Sequence, residues 1–207
     1  MVEEIGLLTA SPALELWELW QQTGRDDPPF WAYPWAGGQA LARYLLDNPG
    51  TVRGRRVLDV ASGSGLVAIA AARAGAGRVT AGDIDPLAVA AITANASANG
   101  VRVAARAFDL AAEDPGDAEV VLAGDVFYQR QLAEVAMAFL RAAVCAGARV
   151  LVADPGRAFV PLGSLTALSR YEVPVLTAIE NSPVKTVTVY RLSRIEGITD
   201  NSKKSSR

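Results

Sequence analysis

Residues 57–65, VLDVASGSG, set an acid and two glycines between a strand-forming run and a helix-forming run. Gly63 and Gly65 permit positive φ and close approach of backbone to a ligand. The helix start behind them offers free N–H groups and the positive end of a dipole. Such a loop holds a pyrophosphate or a carboxylate. The next apolar run ends in AGDIDP. There Asp83 is placed to accept both hydroxyls of a ribose, whereas Asp85 reads as the N-cap of a helix opened by Pro86. A third run ends in Phe108-Asp109-Leu110. A carboxylate at 109 accepts a hydrogen bond from an adenine amino group while Phe108 or Leu110 flanks the ring. A fourth ends in GDVFY, with Asp125 at the strand end and Tyr128 just beyond. The bland alternatives are a bare tight turn at 61–65 and ordinary turn roles for Asp109 and Asp125.

These sites lie at the carboxyl ends of successive strands, where open α/β sheets bind ligands. They point to an adenosine-containing cofactor, and two compete. A dinucleotide site prefers G-x-G-x-x-G; here the loop reads Gly63-Ser64-Gly65-Leu66-Val67-Ala68, with a tolerated Ala in third place. Asp59, on the strand itself, repels a pyrophosphate and suits a positive amino group. S-adenosylmethionine carries an α-amino group, a carboxylate and a sulfonium, so electrostatics favours it. An acid at the end of the fourth strand, Asp125, then lies near the reactive methyl.

Composition narrows the chemistry. The chain has 207 residues, a formal net charge of −2, one cysteine and no histidine. Histidine bases, His-containing triads and a structural zinc site are excluded, and no metal site is expected. The charge balance points away from nucleic acid. No apolar run reaches the length of a membrane span, and the acidic start lacks the positive beginning of a signal peptide. The lone Cys145 suits a reducing cytoplasm and reads as helix packing. A single chain acting as a monomer is expected.

These residues need a scaffold, and the pattern supplies one. Strands are expected at 56–61, 78–84, 101–108, 118–126 and 148–154, with helices at 65–74, 86–99 and 129–144 between them. Short strands alternating with helices predict a doubly wound, Rossmann-like, mostly parallel α/β sheet of seven strands. The end of the chain breaks the rhythm. A helix is expected around 161–170, then strands at 173–180 and 184–192. Asn181-Ser182-Pro183 alone separates that last pair, so it must be an antiparallel hairpin. Upstream, residues 12–22 read as a helix with Pro12 in its first turn and Ser11 as its cap, and 37–47 as another helix. The domain reading is a helix and aromatic segment at 1–36, the α/β domain at 37–196 and a disordered tail at 197–207.

VLDVASGSG together with AGDIDPLAVAAITANASANGV resembles the class I, seven-strand S-adenosylmethionine-dependent methyltransferases, over roughly residues 37–192. FWAYPWAGGQALARYL, GDVFY and DPGRAF are similar to the protein-lysine methyltransferases with a D-x-x-Y motif after strand four, nearest the bacterial relatives of the electron-transfer flavoprotein β-subunit lysine methyltransferase. Ribosomal protein L11 methyltransferases share the DIDPLAV…NA..NG segment. The resemblance implies that Asp59, Gly63 and Gly65 hold the methionine part, that Asp83 binds the ribose and that Asp109 lies by the adenine. Ala61, Ile84, Leu110 and Gly124 join them as cofactor contacts. Asp125 and Tyr128 match the D-x-x-Y positions and would face a substrate lysine amine. The implied partner is a protein with an accessible lysine, an electron-transfer flavoprotein or a ribosomal protein.

All four tryptophans, Trp17, Trp20, Trp31 and Trp35, lie in the first 35 residues. Trp17 and Trp20 fall at helical spacing and read as packing. Trp31, Tyr33 and Trp35 lie in a proline-constrained stretch that reads as a lid. The resemblance places Trp35 beside the cofactor; Trp31 and Tyr33 would frame the entrance, and Gly37-Gly38 would let backbone pass close to the ligand. Arg157 could touch an acidic substrate surface or pair with a neighbouring acid. Three other functions stay open on the residues alone: a small-molecule N-methyltransferase, a nicotinamide-dependent oxidoreductase and a non-catalytic cofactor-binding protein.

Overall fold

The computed structural model describes residues 2–9, 13–22, 24, 28–180 and 182–193. Ser11, Pro12 and the 197–207 tail lie outside them. A seven-stranded sheet forms the middle layer, in the order β3-β2-β1-β4-β5-β7-β6. Its strands are β1 (Arg56–Val60), β2 (Arg78–Asp83), β3 (Ala104–Ala107), β4 (Val120–Gly124), β5 (Arg149–Asp154), β6 (Leu165–Pro174) and β7 (Val184–Leu192). β1 to β5 run parallel, whereas β7 pairs antiparallel with both β5 and β6. The helices are α1 (Ala13–Gln22), α2 (Ala36–Asp47), α3 (Leu66–Arg73), α4 (Pro86–Ala98), α5 (Arg130–Cys145) and the short α6 (Thr177–Glu180).

The central strands β1, β4 and β5 are apolar on both faces because helices cover both, as parallel sheets require. One core layer packs Leu41, Leu45, Ile69 and Ile92 against one face; the other packs Val126, Phe127, Phe139 and Leu140 against the opposite face. The strand order reverses between β1 and β4, with β2 and β3 to one side and β5 to the other. That switch point opens a crevice at the carboxyl ends of the strands.

Three expectations change. Residues 165–174 are β6, an edge strand, and not part of a helix. Its nine register pairs with β7 outweigh the helical look of a segment whose side chains are mostly exposed. The terminal pair is an antiparallel hairpin, but its first strand ends at Pro174 and residues 175–183, including α6, join it to β7. Proline cannot donate to the ladder, which suits a strand end. Cys145 is exposed rather than packed: it ends α5, whose buried face is Ala133, Ala136, Met137, Leu140 and Ala143.

Candidate functional site

A cavity of about 680 Å³ occupies the switch-point crevice. Its floor begins at the end of β1. Asp59 is buried, and its Oδ2 accepts hydrogen bonds from the Ser62 hydroxyl and from the Ala68 N–H at 3.1 Å. The second bond caps the first turn of α3 from the side, so a strand acid serves a helix end. Burial nevertheless pushes the Asp59 carboxyl up to about 7, against the lowering effect of those two bonds. No lysine or arginine pairs with it among the described residues. The chain turns after β1 through Ala61, at a φ of 48°, a strained value for a residue with a Cβ.

Asp83 ends β2 with both oxygens in use: Oδ2 accepts from Gly63 N at 2.8 Å and Oδ1 from Asp85 N at 3.0 Å. Each carboxylate oxygen has a second lone pair left for a hydroxyl. Burial raises this carboxyl as well. Asp85 caps α4, accepting from Leu87 N at 2.9 Å. Ile84 stands 72% exposed at the cavity.

The opposite wall is built differently. Asp125 follows β4 at a φ of 55°, a second strained non-glycine residue at this rim. Its Oδ2 accepts from Gly37 N, its Oδ1 from Arg157 Nη2 at 3.2 Å, and its own N–H donates to Ala153 O at 3.0 Å. Burial, partly offset by Arg157, raises the carboxyl to about 6. A Cβ on Gly37 would stand 2.5 Å from Asp125 Oδ2 and 2.6 Å from Ala153 O. Gly37 therefore lets α2 close on β4 and β5. Only Gly38 of that pair lines the cavity, with its backbone against Gly124. Arg157, whose alternative reading was an acid partner, forks onto Glu180, with Nη1–Oε2 at 3.2 Å and Nη2–Oε1 at 2.7 Å.

The N-terminal aromatic segment forms the roof. Trp17, Trp20, Phe30, Trp31, Tyr33 and Trp35 all line the cavity. The Trp35 indole N–H donates to Phe30 O at 2.8 Å, and the Phe30 ring stands 5.2 Å from Tyr128 and 5.5 Å from Trp35 between ring centres. Trp20 meets Trp31 edge-on at 6.0 Å, so two residues read as plain packing belong to the same roof. A Cβ on Gly63 would approach Phe30 O to 3.3 Å, which places the lid directly over the glycine loop.

The structure thus brings together around one cavity Trp35, Asp59, Ala61, Gly63, Asp83, Ile84, Gly124, Asp125 and Tyr128. It leaves three expected residues outside the lining. Gly65 starts α3 at a φ of 82° with α4 against it: a Cβ there would meet Ile92 at 3.2 Å. Asp109 closes a local turn, accepting from Ala111 N at 2.8 Å. Leu110 packs against the core. Phe108 does not line the cavity; it is buried under Gly82 and meets Phe139 edge-on at 5.5 Å. Sequence reasoning missed Glu180 and Phe30. Phe30 adjoins the aromatic run that signalled a lid, whereas nothing around Glu180 carried a signal.

The cavity suits S-adenosylmethionine better than a dinucleotide. Asp59, Asp83, Asp85, Asp125 and Glu180 line it against Arg157, so it favours a cationic ligand and repels a pyrophosphate. Among the described residues, the buried Trp31 Nε1 has no hydrogen-bond partner.

Comparison with known proteins agrees with this geometry. The ribosomal protein L11 methyltransferase (PrmA) family matches residues 40–143. The chain is similar to the electron transfer flavoprotein beta subunit lysine methyltransferase of Rattus norvegicus, at 38% identity over 204 residues, covering 92% of this chain and 77% of that one. The Homo sapiens protein of the same name also shows 38% identity, covering 92% and 75%. Among solved structures, a Pyrococcus abyssi tRNA (uracil-54, C5)-methyltransferase in complex with S-adenosyl-L-homocysteine superposes with a TM-score of 0.54, at 15% identity, over 75% of this chain and 38% of that one. At that identity the likeness is one of fold.

Proposed function

The chain belongs to the family of electron transfer flavoprotein β-subunit lysine methyltransferases and is an S-adenosylmethionine-dependent methyltransferase; from that premise we propose that it methylates a lysine side chain of a protein, with Asp125 and Tyr128 facing the acceptor amine. The observation that carries this reading is the position of Asp125: it follows β4 on the same cavity as Asp59 and Asp83, across the switch point from them.

S-adenosylmethionine, when bound, supplies a methyl already activated on a sulfonium. The chain's own residues do the rest. Asp59 would pair with the ligand ammonium and Asp83 with the ribose hydroxyls, and Ile84 would flank the adenine. Trp35 and its aromatic neighbours close over them and exclude water, which strengthens each of these contacts. The acceptor amine has an ordinary pKa of about 10.4 and must reach the methyl as the neutral base. The aromatic walls of Phe30, Tyr128 and Trp35 disfavour its charged form. Asp125, with Oδ1 toward Arg157 and its pKa raised to about 6, is ionised at neutral pH. It accepts a hydrogen bond from the amine and aligns the nitrogen, a contribution of position more than of acid–base chemistry. Tyr128 offers a ring face to the charge that develops on nitrogen.

The electron transfer flavoprotein β subunit is the acceptor we favour, on the relatives' shared name; a ribosomal protein is the second choice. The exposed, unpaired Cys145 suits a reducing, cytoplasmic setting. The test is incubation with tritiated S-adenosylmethionine and either the purified β subunit or a host lysate. Label on a protein lysine is expected. Label confined to small molecules overturns the reading.

A further inference from the structure

Glu180 is buried, comes from a four-residue helix, and belongs to none of the motifs that mark the site. It is the one residue of the β6–β7 hairpin among the described residues lining the cavity. A carboxylate so placed needs a cation. It has Arg157 in a two-point fork at 3.2 and 2.7 Å, with Lys185 Nζ farther off at 3.8 Å. The Arg157 atom Nη2 that makes the shorter contact also reaches Asp125 Oδ1, at 3.2 Å. One guanidinium is thus shared by two carboxylates, held at two points by Glu180 and at one by Asp125.

The backbone of Arg157 is pinned independently. Asp154 Oδ1 accepts from Gly156 N at 2.7 Å and from Arg157 N at 2.6 Å. The side chain is not saturated, since among the described residues its buried Nε has no partner. The charged groups facing Asp125 are Arg157 and Asp154; Glu180 and Lys185 act on it through Arg157. Remove the negative charge at 180 and the guanidinium is left with Asp125 and Asp154. A guanidinium fork pairs best with a carboxylate two atoms to two. It would close on Asp125 and occupy the lone pairs that the acceptor amine needs.

Resting on the assignment of Asp125 to the acceptor amine, we propose that Glu180 is a positioning residue for methyl transfer: it holds Arg157 off Asp125, so that the Asp125 carboxylate stays open to the substrate. The β6–β7 connection thereby reaches the chemistry through Arg157.

The experiment compares the parent with Glu180→Gln and with the double variant Glu180→Gln/Arg157→Met. The first readout needs no acceptor: the Asp125 carboxyl titration, followed by carbon-13 NMR, moves to lower pH in Glu180→Gln as the guanidinium closes on it. The second uses the electron transfer flavoprotein β subunit. Its KM rises about tenfold in Glu180→Gln, the size of one lost charge-assisted hydrogen bond, while affinity for S-adenosylhomocysteine is unchanged. Assayed at a pH high enough to ionise Asp125, whose titration rises once its guanidinium is gone, the double variant recovers most of that loss because nothing remains to capture the carboxylate. If Glu180→Gln does not fold, Glu180→Asp keeps the charge with a shorter reach and shows the same shifts at smaller size. An unmoved titration, or a double variant no better than the single, overturns the inference. Full turnover in Asp125→Asn instead sinks the assignment of Asp125 and leaves the titration result standing.

Discussion

The two walls of the cavity are both acidic, yet they satisfy their acids in opposite ways. On the β1–β2 side, Asp59 and Asp83 are held by the Ser62 hydroxyl and by backbone N–H groups of Gly63, Ala68 and Asp85. All these donors belong to the turns that follow the two strands and to the first turn of α3, and none carries a charge. On the β4–β5 side, Asp125, Asp154 and Glu180 surround Arg157, a cation of the protein's own. A carboxylate pocket without a cation takes up a proton or a ligand cation, whereas one built around Arg157 has part of its charge met before anything binds. That difference fits the roles proposed for the two walls, a ligand ammonium on one side and a neutral acceptor amine on the other.

Substitutions can break this comparison. The largest effect is expected from Asp125→Asn, which keeps the shape and removes the charge. Turnover falls about 100-fold, while S-adenosylhomocysteine binds as before by calorimetry; equal turnover would remove Asp125 from the mechanism. Asp59→Asn should do the converse. S-adenosylhomocysteine affinity falls about tenfold or more, for one charge-assisted bond lost. The ligand-free protein melts no lower, because its buried, unpaired acid is gone. Weakened acceptor binding without weakened cofactor binding would reverse the roles of the two walls.

A smaller effect appears in pH. Asp59 and Asp125 have folded-state values raised to about 7 and about 6. The folded chain therefore keeps protons that the unfolded chain releases near an ordinary aspartate value of about 4. Their contribution to stability is full below that value and is lost as pH rises through 6 and 7. Thermal melting should show that decline in the ligand-free protein. S-adenosylhomocysteine should flatten it, since its ammonium favours ionised Asp59, and Asp59→Asn should lose that part of the slope. The smallest effect is expected at Trp35→Phe. It removes the indole bond to Phe30 O that fastens the lid, worth about 1 kcal/mol, so cofactor affinity drops severalfold with little change in melting temperature.

What was legible in the chain follows the same division. The strand–loop–helix runs at 56–74 and 78–99 announce themselves because their signals are local: glycines at forced turns, a cap before Pro86, and apolar runs long enough to be buried. Asp59 and Asp83 could be placed from those runs, since their partners lie in turns that the runs themselves define. Residues 165–174 misled because an edge strand with mostly exposed side chains has no strict alternation to read. Their strand character comes from β7, which follows them across the 175–183 connection.

Glu180 was beyond reach for a related reason. A single acid near the end of a short connection gives no local sign that it will be buried, and it is chiefly Arg157, 23 positions away, that makes that burial tolerable. Asp109 shows the converse: its place just past a strand end is legible in the sequence, whereas the hydrogen bond its carboxylate accepts from Ala111 N within its own turn is not. The amino-acid sequence by itself determined the strand–loop–helix units at 56–74 and 78–99, the glycine loop, the acids at the strand ends and the clustering of aromatics at 30–35, because each is signalled by near neighbours in the chain. Tertiary structure alone decided which of those acids meet a cation. Ion pairing depends on distance in space, and here α2, β4, β5 and α6 must all close on one another before Asp125, Arg157 and Glu180 can share a charge.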